Sequence, residues 1–137
     1  VHRRLGRALL SCALLSGVLA LVFGLLHSWG GWLEASAALV FGIWFVACLV
    51  LAFRAIRRDD VPQHRRWMIR AFAVGIGIGT IRIWIGIFTP IVIIRNGGTE
   101  DLTLPDATTF GLAFWLAFTM HVALGEWWLR RTPALNG

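Results

Sequence analysis

The sequence predicts an all-α integral membrane protein, a four-helix bundle with both termini cytoplasmic, and three observations carry that reading. The first is composition: of 137 residues, 58% are hydrophobic and only 15% charged, with a mean hydropathy of +0.73. A soluble domain carries about a quarter charged residues. The second is spacing, because four stretches with at most one ionisable residue each reach the roughly 20 residues that a bilayer-spanning helix needs. The third is arginine position. The formal charge of +6 comes from thirteen arginines and no lysine, and eleven of them lie before the first stretch, between the second and third, or after the fourth. Such basicity usually suggests nucleic acid or an acidic membrane surface. A nucleic-acid-binding domain of this size could not bury so much apolar sequence, so nucleic acid is excluded as a partner.

The first span, 8–28, has no ionisable residue from Ala8 to Leu26. It is too long for the apolar part of a cleaved signal peptide, and no small-x-small site precedes polar sequence. The second span, 33–54, is uninterrupted from Ala35 to Phe53. In Asp60-Val61-Pro62-Gln63 the carboxylate can accept from a free first-turn amide, Gln63 can return a bond, and proline is tolerated where no donor is needed. Helix three is therefore expected to begin near Val61, outside the membrane, with its span at 67–94. Ala71 to Ile94 is a 24-residue apolar run broken only by Arg82. Asn96-Gly97-Gly98 reads as a turn, and Pro105-Asp106 with Thr108 as the start of helix four. Its span is placed at 107–129, where Ala107 to Gly125 contains His121 alone as an ionisable residue. Residues 1–137 thus form one transmembrane domain, without internal repeat or low-complexity tract.

Cytoplasmic loops retain positive charge. Arg3, Arg4 and Arg7, then Arg54, Arg57, Arg58, Arg65, Arg66 and Arg70, then Arg130 and Arg131 accordingly belong on the cytoplasmic side of the membrane. The outer side has Arg95 against Glu100, Asp101 and Asp106. Trp29 and Trp32 mark the outer rim and Trp67, Trp127 and Trp128 the inner rim, where indoles settle at headgroup depth. Gly75 with Gly79, and Ala38 with Gly42, form small-x-x-x-small faces of the kind that let backbones approach in lipid. Packing inside the bundle is expected ahead of partner docking for both. Cys12 and Cys48, without metal-like spacing, read as buried small hydrophobes.

The run His64-Arg65-Arg66-Trp67-Met68-Ile69-Arg70, followed by a long apolar helix carrying Arg82, resembles a signature of the bacterial membrane proteins grouped as domain of unknown function 2306. His2-Arg3-Arg4-Leu5-Gly6-Arg7 looks like that family's His-Arg-x-x-Gly-Arg element. The resemblance implies a multi-helix inner-membrane protein without an assigned reaction. Family members often have another helix before this element, whereas this chain starts at it, which implies a shortened member or an incomplete chain.

Arg82 is the anomaly among the charges. A charged residue inside a span is costly and normally faces the bundle or a water-filled cavity, and counting back from Pro90 places it roughly 12 Å inside the outer boundary. Glu34, at the start of helix two, is the expected ion-pair partner, with contact to an anion, quinone or cofactor propionate as the functional alternative. Arg70 and Glu126 make a second candidate pair near the inner boundary. His2 and His64, both at the inner boundary, could hold one b-type haem, since imidazole is a usual axial ligand. A Soret band lost in His64→Ala would favour that small redox protein. His27 is near the outer boundary and His121 roughly 20 Å into helix four, so those two cannot easily sandwich one iron. Ala117-Phe118-Thr119-Met120-His121 matches the Ala-x-x-x-His spacing of bacteriochlorophyll-binding polypeptides, although a histidine bonding across the bundle is the simpler reading. Neither pigment nor haem is the leading expectation. No catalytic constellation, metal-ligand spacing or paired broken repeat of a transporter stands out. The arginine-rich inner face sets topology and contacts anionic lipid headgroups. The sequence as a whole points to a non-catalytic accessory or stabilising subunit of a larger membrane assembly of the energy-transducing or photosynthetic kind, in contact with lipids and other transmembrane subunits.

Overall fold

A computed structural model describes residues 2–95 and 107–132, without the side chains of residues 2–5 and 7. Four helices account for nearly all of it: α1 (His2–Leu26), α2 (Gly31–Arg57), α3 (Val61–Arg95) and α4 (Ala107–Arg131). All four are long and apolar enough to cross a bilayer, and in lipid only structures that satisfy their own backbone groups can do so. The chain is a multi-pass membrane protein. The helices extend beyond the expected spans mainly at the arginine-rich end. The expected turn at Asn96-Gly97-Gly98 and the Pro105-Asp106 helix start lie outside the described residues.

Gly17 packs on Phe45, Leu21 on Gly42 and Gly24 on Ala38, so α1 and α2 run antiparallel. Gly77 opposite Phe118 and Ala73 opposite Gly125 give the same relation for α3 and α4. The start of α1 and the end of α4 therefore share the arginine-rich end. Helices α2, α3 and α4 pack mutually, whereas α1 packs against α2 alone. The result is a three-helix core with α1 on its flank. Ala37, Phe41, Val74, Ile81, Ala117 and Phe118 form the buried centre, where the rings of Phe41 and Phe118 stack at 4.9 Å.

Two packing expectations are corrected. The Ala38–Gly42 face does pack, against α1, but Gly75 and Gly79 point into open space, and it is Gly77 that meets the neighbouring helix. Cys48 is buried as expected, while Cys12 is exposed on α1. Both errors have one cause. A helix apolar on every side gives no polarity contrast from which to read its buried face.

The α2–α3 turn closes by local bonds. The amide of Asp59 donates to Ile56 O (3.3 Å) and that of Asp60 to Ala55 O (3.1 Å), with Asp59 in the left-handed region at φ 56°. This is the paired-bond helix ending in which glycine is the usual left-handed residue. Asp60 Oδ1 then accepts from the Gln63 amide at 3.0 Å and starts α3 at Val61. The reciprocal bond expected to the Asp60 amide does not form, because Ala55 O already takes that donor. Asp59→Gly is expected to stabilise the chain by about 0.5–1 kcal/mol through relief of the left-handed strain. Denaturation of the purified protein in mixed micelles checks it, and a loss of stability would refute the strain. At the other end α3 runs through Pro90 to Arg95, as transmembrane helices tolerate.

Candidate functional site

The charges of the arginine-rich end are organised around Glu126. Arg70 donates through Nε to Glu126 Oε1 at 2.5 Å and through Nη2 to Oε2 at 3.1 Å, a two-point geometry that suits guanidinium and carboxylate. Arg66 and Arg130 add to the positive field at the same carboxylate. The Arg70 guanidinium also lies over the Trp67 ring, 4.7 Å from its centroid. Arg66 Nε is buried with no hydrogen-bond partner among the described residues. Beside this cluster, Arg54, Arg58, Asp60, Gln63 and Trp67 line an open cleft of about 330 Å³. Three guanidiniums against one carboxylate leave the end strongly electropositive, and the arrangement can hold helices α3 and α4 in register while attracting anionic headgroups.

At the far end the expected Arg82–Glu34 pair does not form. Glu34 is buried and turned back on its own helix, where Oε2 accepts from the Gly30 amide at 2.6 Å. It satisfies a donor that the start of α2 would otherwise leave bare. Gly30 is required there, since a Cβ would meet Gly111 N at 3.0 Å and Ala107 O at 3.1 Å in the backbone of α4. Trp115 Nε1 donates across to Leu33 O at 3.1 Å and closes the same α2–α4 corner. The Gly30-Gly31 pair with an acid in the first turn was the sequence signal for this cap.

The three histidines whose side chains are described lie apart in role. His64 Nδ1 bonds to Ala52 O at 2.8 Å and ties the first turn of α3 to α2. The side chain of His2 is outside the described residues, so no pairing with His64 is described. His27 stacks on Phe23 at 5.2 Å. His121 Nδ1 bonds to Ala117 O of its own helix at 2.8 Å, not across the bundle. Ala117 is fully buried in the core, so the space one turn before His121 is already filled by protein. His64→Ala is expected to cost about 1 kcal/mol, the value of one intramolecular hydrogen bond. A denaturation curve superimposable on the wild type would show that the bond contributes nothing.

Arg82 faces away from the core. It is exposed, and among the described residues it has neither an ion-pair nor a hydrogen-bond partner. Phe118 lies opposite Gly77 and α4 begins at Ala107, which sets the start of α4 level with the residue six places beyond Arg82. The guanidinium therefore leaves its helix roughly 9 Å inside that end of the bundle. A family model described as "Predicted membrane protein (DUF2306)" matches residues 1–129. The chain belongs to this family. The match to DUF2306 takes in all of α1 to α3 and α4 up to Leu129. No curated protein and no solved structure matches the chain.

Proposed function

We propose that this DUF2306 protein is a non-catalytic accessory or stabilising subunit of a larger assembly in the bacterial inner membrane, its arginine-rich end cytoplasmic. The single observation that carries the reading is Arg82, a cation on the outward face of a membrane span with no partner among the described residues. Placing an arginine at the centre of a span costs about 2.5–3.5 kcal/mol by membrane-insertion measurements. Facing lipid roughly 9 Å inside the end of the bundle, a lone chain bears part of that cost, whereas a neighbouring transmembrane subunit with a complementary group removes it. Arginine placement supports the orientation, because basic residues remain on the cytoplasmic side.

Extraction of the native protein in a mild detergent, followed by native gel electrophoresis, tests this. The expected result is migration in a larger complex with another polypeptide in fixed stoichiometry. A monodisperse 15.2 kDa species without companions under the same conditions would overturn it.

A further inference from the structure

The open face of α3 has a shape as well as a charge. Gly75, Gly79, Arg82 and Gly86 follow one another at intervals of four, three and four residues, so they share one stripe of the helix. A Cβ built on Gly75, Gly79 or Gly86 meets nothing within 4 Å, whereas one on Gly77 meets the Phe118 ring at 2.8 Å. Helix α1 does not cover the stripe, since it packs on α2 alone. From Gly75 to Gly86 the stripe rises about 16 Å, half the thickness of a hydrocarbon core of about 30 Å. Phe72, Ile78 and Ile83, all more than half exposed, stand beside it as ridges. The outcome is a shallow groove with a glycine floor and one cation in it.

Resting on the assembly reading above, we infer that this groove seats a transmembrane helix of a different polypeptide, and that an aspartate or glutamate on that helix pairs with Arg82. A glycine floor lets two backbones approach closely, which is what drives helix association in lipid, where apolar side chains gain little by leaving the acyl chains. Acyl chains gain nothing comparable from a floor of glycine. The charge then selects the occupant. An uncharged helix would bury Arg82 without compensation, whereas a carboxylate forms a charge-assisted bond with the guanidinium. A second copy joined two-fold through this face sets Arg82 against Arg82. The acids of the described spans offer it nothing, because Glu34 is engaged by Gly30 and Glu126 by Arg70.

The test uses the full chain expressed in its native membrane, with the companion polypeptide of the native complex identified by mass spectrometry. Arg82→Glu and Gly79→Leu are each expected to retain at least tenfold less companion than the wild type, and Arg82→Lys to retain most of it. Leu19→Phe, on the exposed face of α1, serves as the neutral control. Purified Arg82→Glu and Gly79→Leu should melt no lower than the wild type, which separates lost docking from lost folding. The supporting result is rescue: exchanging one acid in a span of the companion for arginine restores the complex with Arg82→Glu. If the wild-type complex exists and survives both substitutions, the groove assignment fails while the subunit reading stands. If the wild type has no companion, the subunit reading itself fails. A disulfide between two copies of Gly79→Cys would identify a self-interface and overturn the inference. So would an Arg82→Glu defect that no companion exchange rescues and that follows the anionic-lipid content of reconstituted vesicles, which would assign Arg82 to a lipid phosphate.

Discussion

Glu126→Ala is expected to lower the unfolding free energy of the detergent-solubilised chain by about 2–3 kcal/mol. Removing one member of a well-buried ion pair costs about 3–5 kcal/mol because the other charge is left uncompensated. This pair is only partly covered, with side-chain exposures of 16% for Arg70 and 30% for Glu126, so screening reduces the figure. What raises it again is the company that Glu126 keeps. Its loss leaves Arg66, Arg70 and Arg130 around one point without an anion. Replacing both partners by apolar residues of similar size, Arg70→Met with Glu126→Leu, should recover most of the loss, since a buried pair exchanged for good packing is often neutral. Circular dichroism during titration with a denaturing detergent measures both variants. A single substitution that shifts stability by less than about 0.5 kcal/mol, the range of an ordinary surface change, would mean that the pair is ornamental to the fold.

That pair illustrates what the sequence makes legible. The ends of membrane helices are marked by charge, so a cation and an anion that count to the same depth on neighbouring spans can be matched without knowing how either helix is rotated. The same counting finds four helices long enough to cross a membrane, and the capping residues Asp60-Val61-Pro62-Gln63 mark the start of α3 at Val61. Rotation is another matter. Glu34 and Arg82 also count to the same side of the membrane, yet Glu34 turns back to Gly30 and Arg82 points away from the core. Gly75, Gly77 and Gly79 are indistinguishable by composition, and only the middle one faces α4. A helix in water declares its buried side by polarity, and a helix in lipid does not. The left-handed Asp59 was hidden for a different reason: the position usually belongs to glycine, and an aspartate among arginines reads as solvated charge.

Gly77→Leu is expected to cost the isolated chain at least 3 kcal/mol, whereas Gly79→Leu, two residues along the same helix, should cost nothing measurable. At Gly77 the first added carbon would already lie 2.8 Å from the Phe118 ring and 3.4 Å from its Cα. Phe118 cannot retreat easily, because it is buried and stacked at 4.9 Å on Phe41 of α2. Overfilling a packed core costs about 1–3 kcal/mol and more where the backbone must shift, and here three helices would have to separate. At Gly79 the added side chain meets open space, and leucine gains roughly the 0.8–1.0 kcal/mol by which glycine disfavours a helix interior. Thermal or detergent denaturation of the two purified variants reads the difference directly. The reversed order, with Gly79→Leu unfolding the chain and Gly77→Leu tolerated, would mean that α3 is rotated about its axis by about half a turn. Arg82 would rotate with it and face the core, so this one comparison also decides whether that cation is free to meet a neighbour.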